Sequence, residues 1–310
     1  TESAIDDYLN SDEAKENDVN DKTAEAILNG SSVFDWNRTN NKTIAKIENS
    51  NIIAGNDVGI TADIVDNTIN EAISQAGEVK NFGAGITFIL NNQVNETTSS
   101  VKNSGIESKN LKVASSNELP LVGESEDAEE NCNKASSTAK GGKADVSGSV
   151  IITNIENTSS AIIENTSPTL IENNPIIKTT GNVLINSLNY IFGNNSAGGF
   201  STTEGTVGLG GNVIISKYNN NSNAQVINYV IEANEDLNIN SANFQNYSTS
   251  ITTGGSSEKF GADGSVSVQN IRGETNASII DSKNDKLILS NKKYMSWFLE
   301  RFLGRKINNY

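Results

Sequence analysis

The strongest constraint on the fold is a short frame, [Ser/Thr]-x-[Ala/Ser]-x-[Ile/Val], which recurs five times along the chain. The copies begin at Thr43, Thr97, Thr158, Ser222 and Thr275. Successive copies are therefore 54, 61, 64 and 53 residues apart. A glycine lies ten to thirteen residues before each copy, at Gly30, Gly85, Gly148, Gly211 and Gly264. A period of this length indicates a repeat protein in which each unit stacks on the next.

Alternating apolar pairs accompany the frame and predict short strands with one buried face. The pairs that follow a glycine, predicted to point inward, are Val150/Ile152, Val213/Ile215 and Val266/Val268. The pairs downstream of the frame are Val58/Ile60, Leu111/Val113, Leu237/Ile239 and Leu287/Leu289, with Leu170 or Val183 as the candidate in the third copy. The third frame also predicts that Ser160 and Ile162 point inward and that Ala161 points outward.

Three short strands per repeat predict an all-β fold, a right-handed parallel β-helix (solenoid) over residues 30–290 with five repeats of about 53–64 residues. One coil of three short strands needs about 20–25 residues, so we expect two to three coils per repeat. The variable segments are then loops, namely Asp63–Ala84, Ser115–Asp145, Ser187–Leu209 and Ser241–Asp263. Asn and Thr between the apolar runs predict corner ladders, where Asn tolerates the left-handed conformation. A tandem of small β-sandwiches is the alternative, disfavoured because each module would have too small a core.

Short helical patterns interrupt the repeats. The polar N-terminal segment, residues 1–29, contains Asp21–Leu28, in which an aspartate N-cap precedes helix formers. Asp66–Ala76 has a similar pattern and predicts a helical insertion. Both predictions rest on local sequence alone.

The C-terminal segment, residues 291–310, predicts an amphipathic basic helix, because Lys292–Lys306 is aromatic and basic with apolar residues at helical spacing. We expect this helix to cap the last open coil. The alternative is a partner-binding helix or contact with a membrane surface through Trp297, Phe298 and Phe302.

The composition argues against many kinds of chemistry. The formal net charge is −15 and the pI is about 4.5, so the surface repels nucleic acid and anionic lipid. The chain has no histidine, which removes the commonest general base and most transition-metal ligands. The single cysteine, Cys132, cannot form an intrachain disulfide, and its acidic surroundings make it a poor nucleophile. We therefore predict no enzymatic activity and no catalytic, cofactor-binding or metal-binding residues.

Carboxylates are the remaining candidates for catalysis, since some enzymes built on parallel β-helices use clustered acids. The candidates are Asp35, Glu48, Asp57, Glu107, Glu164, Glu232 and Asp281. They are scattered along the repeats, although Glu48 and Glu107 are candidates for axial neighbours. The acidic stretch Glu118–Asp145 lacks the carboxylate spacing of calcium loops. The two ENTS tracts, Glu156–Ser159 and Glu164–Ser167, are interpreted as corner ladders.

Three segments resemble the repeats of very large bacterial exoproteins. They are 43–62 (TIAKIENSNIIAGNDVGITA), 83–115 (GAGITFILNNQVNETTSSVKNSGIESKNLKVAS) and 264–290 (GSVSVQNIRGETNASIIDSKNDKLILS). That group includes filamentous-haemagglutinin-type adhesins of two-partner secretion and autotransporter passengers. The Asn/Ile-rich character is most similar to the fusobacterial leukotoxin type.

The resemblance implies a secreted or cell-surface virulence protein that leaves the cell with the help of an outer-membrane secretion partner. It implies binding to a host-cell surface receptor or glycan, on leukocytes in the case of a toxin, and toxicity or adhesion without catalysis. The chain begins at Thr1 without a methionine, so we expect it to be a piece of a larger protein. The alternatives from other classes are a structural spacer stalk and a carbohydrate-active β-helix enzyme.

Overall fold

The computed structural model describes residues 30–66, 68–79, 82–119, 121–122, 129–130, 132–166, 175–203 and 205–284. Within these residues the chain is all-β, with three parallel sheets, one antiparallel strand pair and no helix. The predicted segments 1–29 and 291–310, including Asp21–Leu28 and the capping helix with Trp297, Phe298 and Phe302, lie outside the described residues.

The strands are numbered in chain order. They are β1 (Gly30–Glu48), β2 (Asn51–Ile53), β3 (Val58–Val65), β4 (Ile69–Val79), β5 (Phe82–Lys102), β6 (Gly105–Ser108), β7 (Leu111–Leu119), β8 (Leu121–Val122), β9 (Glu129–Glu130), β10 (Cys132–Gly141), β11 (Ala144–Glu164), β12 (Ile176–Thr179), β13 (Val183–Thr203), β14 (Val207–Ile227), β15 (Val230–Ala233), β16 (Leu237–Ser256), β17 (Phe260–Ile280) and β18 (Lys283–Asn284).

Three sheets organise these strands. The long sheet has the order β1-β5-β11-β14-β17, and the short sheet has the order β18-β15-β12-β6-β2. The third, here called the interrupted sheet, has the order β3-β7-β13-β10-β4, with β16 also paired to β13. The chain visits the long, short and interrupted sheets in that order, and each such circuit is called a pass. Parallel stacking of successive passes is compatible with a parallel β-helix, and it excludes the tandem sandwiches, whose sheets are antiparallel.

Each repeat makes one pass, so the expectation of two to three coils per repeat is wrong. Side-chain hydrogen bonds between neighbouring passes join residues 54, 62, 63 and 53 positions apart. The long strands have 19 to 21 residues each, so one pass uses the residues that the prediction divides among several coils. Four segments predicted as loops, Asp63–Ala84, Ser115–Asp145, Ser187–Leu209 and Ser241–Asp263, instead contribute strands to the interrupted sheet.

The helical insertion predicted at Asp66–Ala76 is also wrong. Residues 69–79 form β4, which pairs in parallel with β10. Asn70, Ala72, Ser74 and Ala76 are buried, while the residues between them are exposed. This period of two is that of a strand with one buried face, so tertiary packing overrides the helix-forming composition.

The inward frame agrees with the prediction in four of five copies. Thr43, Ala45 and Ile47 align with Thr97, Ser99 and Val101, and the fourth and fifth copies continue the same ladders. The third copy is displaced by one residue. Ala161 and Ile163 are fully buried there, so the prediction that Ser160 and Ile162 point inward is wrong. A shift of one residue reverses every side chain between the two faces.

The apolar pairs after the glycines point outward, contrary to the prediction. Ile151 and Ile214 are fully buried, whereas their neighbours Val150/Ile152 and Val213/Ile215 lie on the outer face of the long sheet. Val266/Val268 continue these outer ladders. The downstream pairs do point inward, and Val183 occupies the third-copy position between Leu111 and Leu237. Leu170 and Leu287/Leu289 lie outside the described residues.

The predicted Asn corners are confirmed. Asn49, Asn103, Asn228 and Asp281 have φ values of 49°, 49°, 52° and 48°, and each directly follows a long strand. The backbone N–H of Asn49 donates to the carbonyl of Lys102 in the next pass at 3.0 Å. Asn and Asp adopt this left-handed conformation at lower cost than other residues with a Cβ, so each corner suits its residue type.

Asn ladders also run through the interior, where the sequence predicted none. One connects Asn41, Asn95, Asn157 and Asn220 by side-chain bonds of 2.9, 2.9 and 2.6 Å. A second joins Asn70, Asn133 and Asn195 at 2.7 Å per step. Apolar clusters lie on either side of these ladders. Inside the molecule, Asn side chains therefore stack on Asn, and apolar side chains stack on apolar ones, from one pass to the next.

Candidate binding surface

The candidate carboxylates do not converge. Glu48 aligns with Lys102, which forms a 3.1 Å ion pair with Glu164, whereas Glu107 aligns with Ile53 and Lys178. The prediction that Glu48 and Glu107 are axial neighbours is therefore wrong. Acids and lysines alternate along the stacking direction, an arrangement that neutralises charge.

The remaining candidate acids have structural surroundings. Asp57 accepts a 2.8 Å hydrogen bond from the side chain of Asn110, and Asp281 occupies a corner. Asp35 aligns with buried Ile89, and Glu232 forms a 3.6 Å ion pair with Lys178. The described residues contain no group of three His, Cys, Asp or Glu side chains placed to hold a metal ion.

The two ENTS tracts have different positions. Glu156–Ser159 lies in the middle of β11, so its interpretation as a corner is wrong, and its Asn157 belongs to the interior ladder. The second tract begins at the end of β11, and Thr166 donates its backbone N–H to Asn103 of the preceding pass at 2.8 Å. Cys132 lies at the first position of β10.

One interior cavity, of about 10 Å³, is lined by polar residues including Asn91, Gln93, Asn133 and Asn195. That space holds about one water molecule. The Gln93 side-chain oxygen is buried without a protein hydrogen-bond partner, so it is a suitable acceptor for such a water. The cavity is too small for an organic ligand.

The most distinctive surface is an apolar area on the outer side of the long sheet, here called the apolar face. It consists of Phe34, Trp36, Ile86, Phe88, Leu90, Val150, Ile152, Leu209, Val213, Ile215, Val266 and Val268. In-register pairing builds it, because Phe34, Phe88, Val150, Val213 and Val266 form one ladder and Trp36, Leu90, Ile152, Ile215 and Val268 form the next. With strands about 4.8 Å apart and alternate residues about 6.6 Å apart, it covers on the order of 400 Å².

Aromatic residues dominate one end of the apolar face. Phe34 and Trp36 each expose 62 % of their surface. The rings of Phe34 and Phe88 stack with centroids 5.0 Å apart and planes inclined by 5°. An exposed apolar area of this size is often functional in soluble proteins, so it is the best candidate for an interaction surface among the described residues.

A row of glycines makes a shallow channel beside the two apolar ladders. Gly148, Gly211 and Gly264 align with one another across β11, β14 and β17. A Cβ built at Gly264 would meet no atom within 4 Å, so the backbone there is open to a partner. The channel lies between Leu209 and the ladder of Phe34.

Polar and charged residues predominate on the part of the outer face between the apolar face and the corners. Lys42 pairs with Glu96 at 2.9 Å, and Lys217 pairs with Glu156 at 3.4 Å. Arg38, Asn92, Asn154 and Lys217 form the polar row beside the apolar face. The apolar face is therefore bordered on this side by a mainly polar part with a few ion pairs.

The sequence contained a signal for the apolar face that the prediction did not use. Phe34 and Trp36 flank Asp35 near the start of β1, where they alternate with smaller or polar residues. The end of the same strand contains the first copy of the frame, whose Ala45 points inward. Following that alternation from Ala45 back to Trp36 places both aromatics outward. The described residues contain no helix with the length and apolar character needed to cross a membrane.

Comparison with known proteins gives no match to a family model, a curated protein or a solved structure. The resemblance to exoprotein repeats therefore remains a prediction from the sequence segments that carry it.

Proposed function

We propose that this chain is a segment of a secreted or surface-exposed bacterial virulence protein of the leukotoxin or adhesin type, and that it binds host cells without catalysis. In this proposal the fold is a right-handed parallel β-helix, and the bound molecule is a host-cell surface receptor or a glycan. An outer-membrane secretion partner exports the full-length protein. The observation that carries the proposal is the apolar face, with two aromatic residues exposed to 62 % on a chain of net charge −15.

The arrangement of the apolar face supports binding in preference to catalysis. Its ladders offer flat apolar and aromatic area, which suits a protein surface or the apolar face of a sugar ring. The glycine channel gives a partner access to the backbone at Gly264. Three of the candidate carboxylates, Glu164, Glu232 and Asp57, are instead paired with Lys102, paired with Lys178 and bonded to Asn110.

The test is binding of the purified chain to host cells. The double variant F34S/W36S removes the exposed aromatic end of the apolar face, and we expect affinity to fall about tenfold or more. The matched control is I44S, because Ile44 is 53 % exposed on the same strand and the same face, outside the apolar face. Equal binding by F34S/W36S and wild type would contradict the assignment of the site.

A spacer stalk is the second candidate function. The observation that favours it is the continuous in-register pairing of the long strands, which gives a stiff stack. A wild-type chain that binds no host cell would favour the spacer. Leukocyte death on binding supports a toxin, and binding without death supports an adhesin.

A further inference from the structure

The outermost strands of the long sheet are complementary to each other. Among the described strands, β1 pairs only with β5, and β17 pairs only with β14. Each therefore has one row of backbone N–H and C=O groups that no described strand pairs. All strands of the sheet are parallel, so β1 of one molecule can follow β17 of another in the same direction.

The side chains at the two edges match when the register of the sheet is extended by one step. Tracing the pairings from Ala45 through Ser99, Ala161 and Ala224 leads to Ala277. Placing Ala277 beside Ala45 of a second copy brings together inward pairs of like type, Thr275 with Thr43 and Ile279 with Ile47. The same types already stack on one another inside the molecule.

Charged and polar residues also fit in this register. Glu274 is placed beside Lys42 on the outer face, and Ser267 is placed beside Asp35, to which its hydroxyl can donate. Gln269 meets Asn37, which continues the kind of amide contact that Asn37 makes with Asn91 at 3.3 Å. Opposite charges and paired amides across neighbouring strands stabilise a sheet.

We propose that copies of this chain associate head to tail, with β17 of one copy pairing in register with β1 of the next. This contact is heterologous and does not close on itself, so it produces open-ended filaments rather than a closed dimer. Val266 and Val268 are then followed by Phe34 and Trp36 of the next copy, which extends the apolar face along the filament. The proposal rests on the strand edges and is independent of the proposed function, and it requires that the C-terminal segment leaves the edge of β17 open, contrary to the expected capping helix.

Disulfide trapping tests the register directly. In a C132S background, the variant A45C/A277C places one cysteine on each of two facing strands of neighbouring copies. Their Cα atoms are then about 4.8 Å apart, a separation that suits a disulfide. Within one molecule these positions lie four strand spacings apart, about 19 Å, so any bond formed is intermolecular. We expect a ladder of dimers, trimers and longer species under mild oxidation.

The matched control is A45C/S278C in the same background. Ser278 follows Ala277 directly, so its side chain lies on the opposite face of β17. We expect this control to give no ladder. Equal ladders from both variants, or none from a folded A45C/A277C, would overturn the proposal.

Charge exchange provides a test without added cysteines. K42E and E274K each place like charges at the contact and should shift the average mass towards the monomer in sedimentation. Mixing the two variants restores opposite charges at both contacts and should recover the larger species. A wild-type chain that stays monomeric at its highest soluble concentration would also overturn the proposal.

Discussion

The hydroxyl group of Tyr229 accepts a 2.7 Å hydrogen bond from the backbone N–H of Ser104, 125 residues earlier in the chain. The same hydroxyl donates to the Ser104 carbonyl oxygen. Ser104 lies at the corner of the second pass and Tyr229 at the corner of the fourth. A single side chain thus ties together two passes that are not neighbours in the stack.

Replacing Tyr229 by phenylalanine should lower the free energy of unfolding by about 1–3 kcal/mol, because the buried N–H and C=O of Ser104 lose their partner. Urea denaturation measures the loss. Y247F is the comparison, since the hydroxyl of half-buried Tyr247 accepts a single bond, from the buried side chain of Asn220. If Y229F unfolds at the same urea concentration as wild type, the contact between Tyr229 and Ser104 has no structural role.

Stability at high pH should also depend on Tyr229. Burial raises the pKa of Tyr229 to about 12 from the ordinary value of 10.0. The folded state then favours the protonated phenol, so stability is lost as the pH rises from about 10 through about 12. Y229F should lose less stability over this window in thermal melts, with residual loss from Tyr218 and Tyr247, whose pKa values are raised by burial as well.

Asp145 should make the wild-type protein sensitive to pH in the acidic range. Burial raises the pKa of its carboxyl above 3.8, although the backbone of Gly141 and Gly83 opposes the shift. The folded state favours the protonated acid, so wild type loses stability relative to D145N as the pH rises from about 4 through the raised pKa. Melting temperatures of the two proteins should coincide near pH 3 and diverge towards pH 7. Parallel curves would show that Asp145 is not the group responsible.

The interior Asn ladder should be sensitive to truncation. N157A leaves the side-chain NH2 group of Asn95 and the side-chain oxygen of Asn220 without their partner in the core. We expect the free energy of unfolding, measured by urea denaturation, to fall by about 2–4 kcal/mol. N154A is the matched control on the same strand. Asn154 is half-buried on the outer face and bonds to Asn92 at 2.8 Å, so its truncation should cost about 1 kcal/mol or less.

Substitution of two adjacent residues tests which face of β11 is buried. A161D places a charge at a position with no exposed surface, and we expect a loss above about 4 kcal/mol or failure to fold. I162D places the same charge on the outer face, and its cost should stay near 1 kcal/mol. Circular dichroism during thermal unfolding separates the two outcomes. If I162D is less stable than A161D, the sequence prediction that Ile162 points inward and Ala161 outward is correct.

Local signals predicted part of this fold correctly. The spacing of the frame predicted how successive repeats align except at the third copy, which is displaced by one residue. The Asn content predicted left-handed corners in general, and the structure locates them at Asn49, Asn103 and Asn228, directly after long strands. Both signals depend on backbone preferences and on a period, which can be obtained from a single sequence.

The orientation of the long strands could not be obtained in the same way, because Asn157 and Asn220 indicate turns when only local propensity is considered. In the structure both residues lie in mid-strand and form the buried ladder. Dividing one long strand at those residues disconnected Ile151 from Ile163, which share one face. The sequence prediction therefore places three apolar pairs of the apolar face, Val150/Ile152, Val213/Ile215 and Val266/Val268, in the core.

The distance between stacked partners has a consequence for how the chain acquires its structure. Partners in adjacent long strands are never closer in sequence than 53 residues. A chain that emerges gradually, from a ribosome or from a pore, gains axial contacts only after a full circuit has appeared. Folding should thus advance in steps of one circuit, each laid on the last completed layer, at the slow rates typical of non-local sheets.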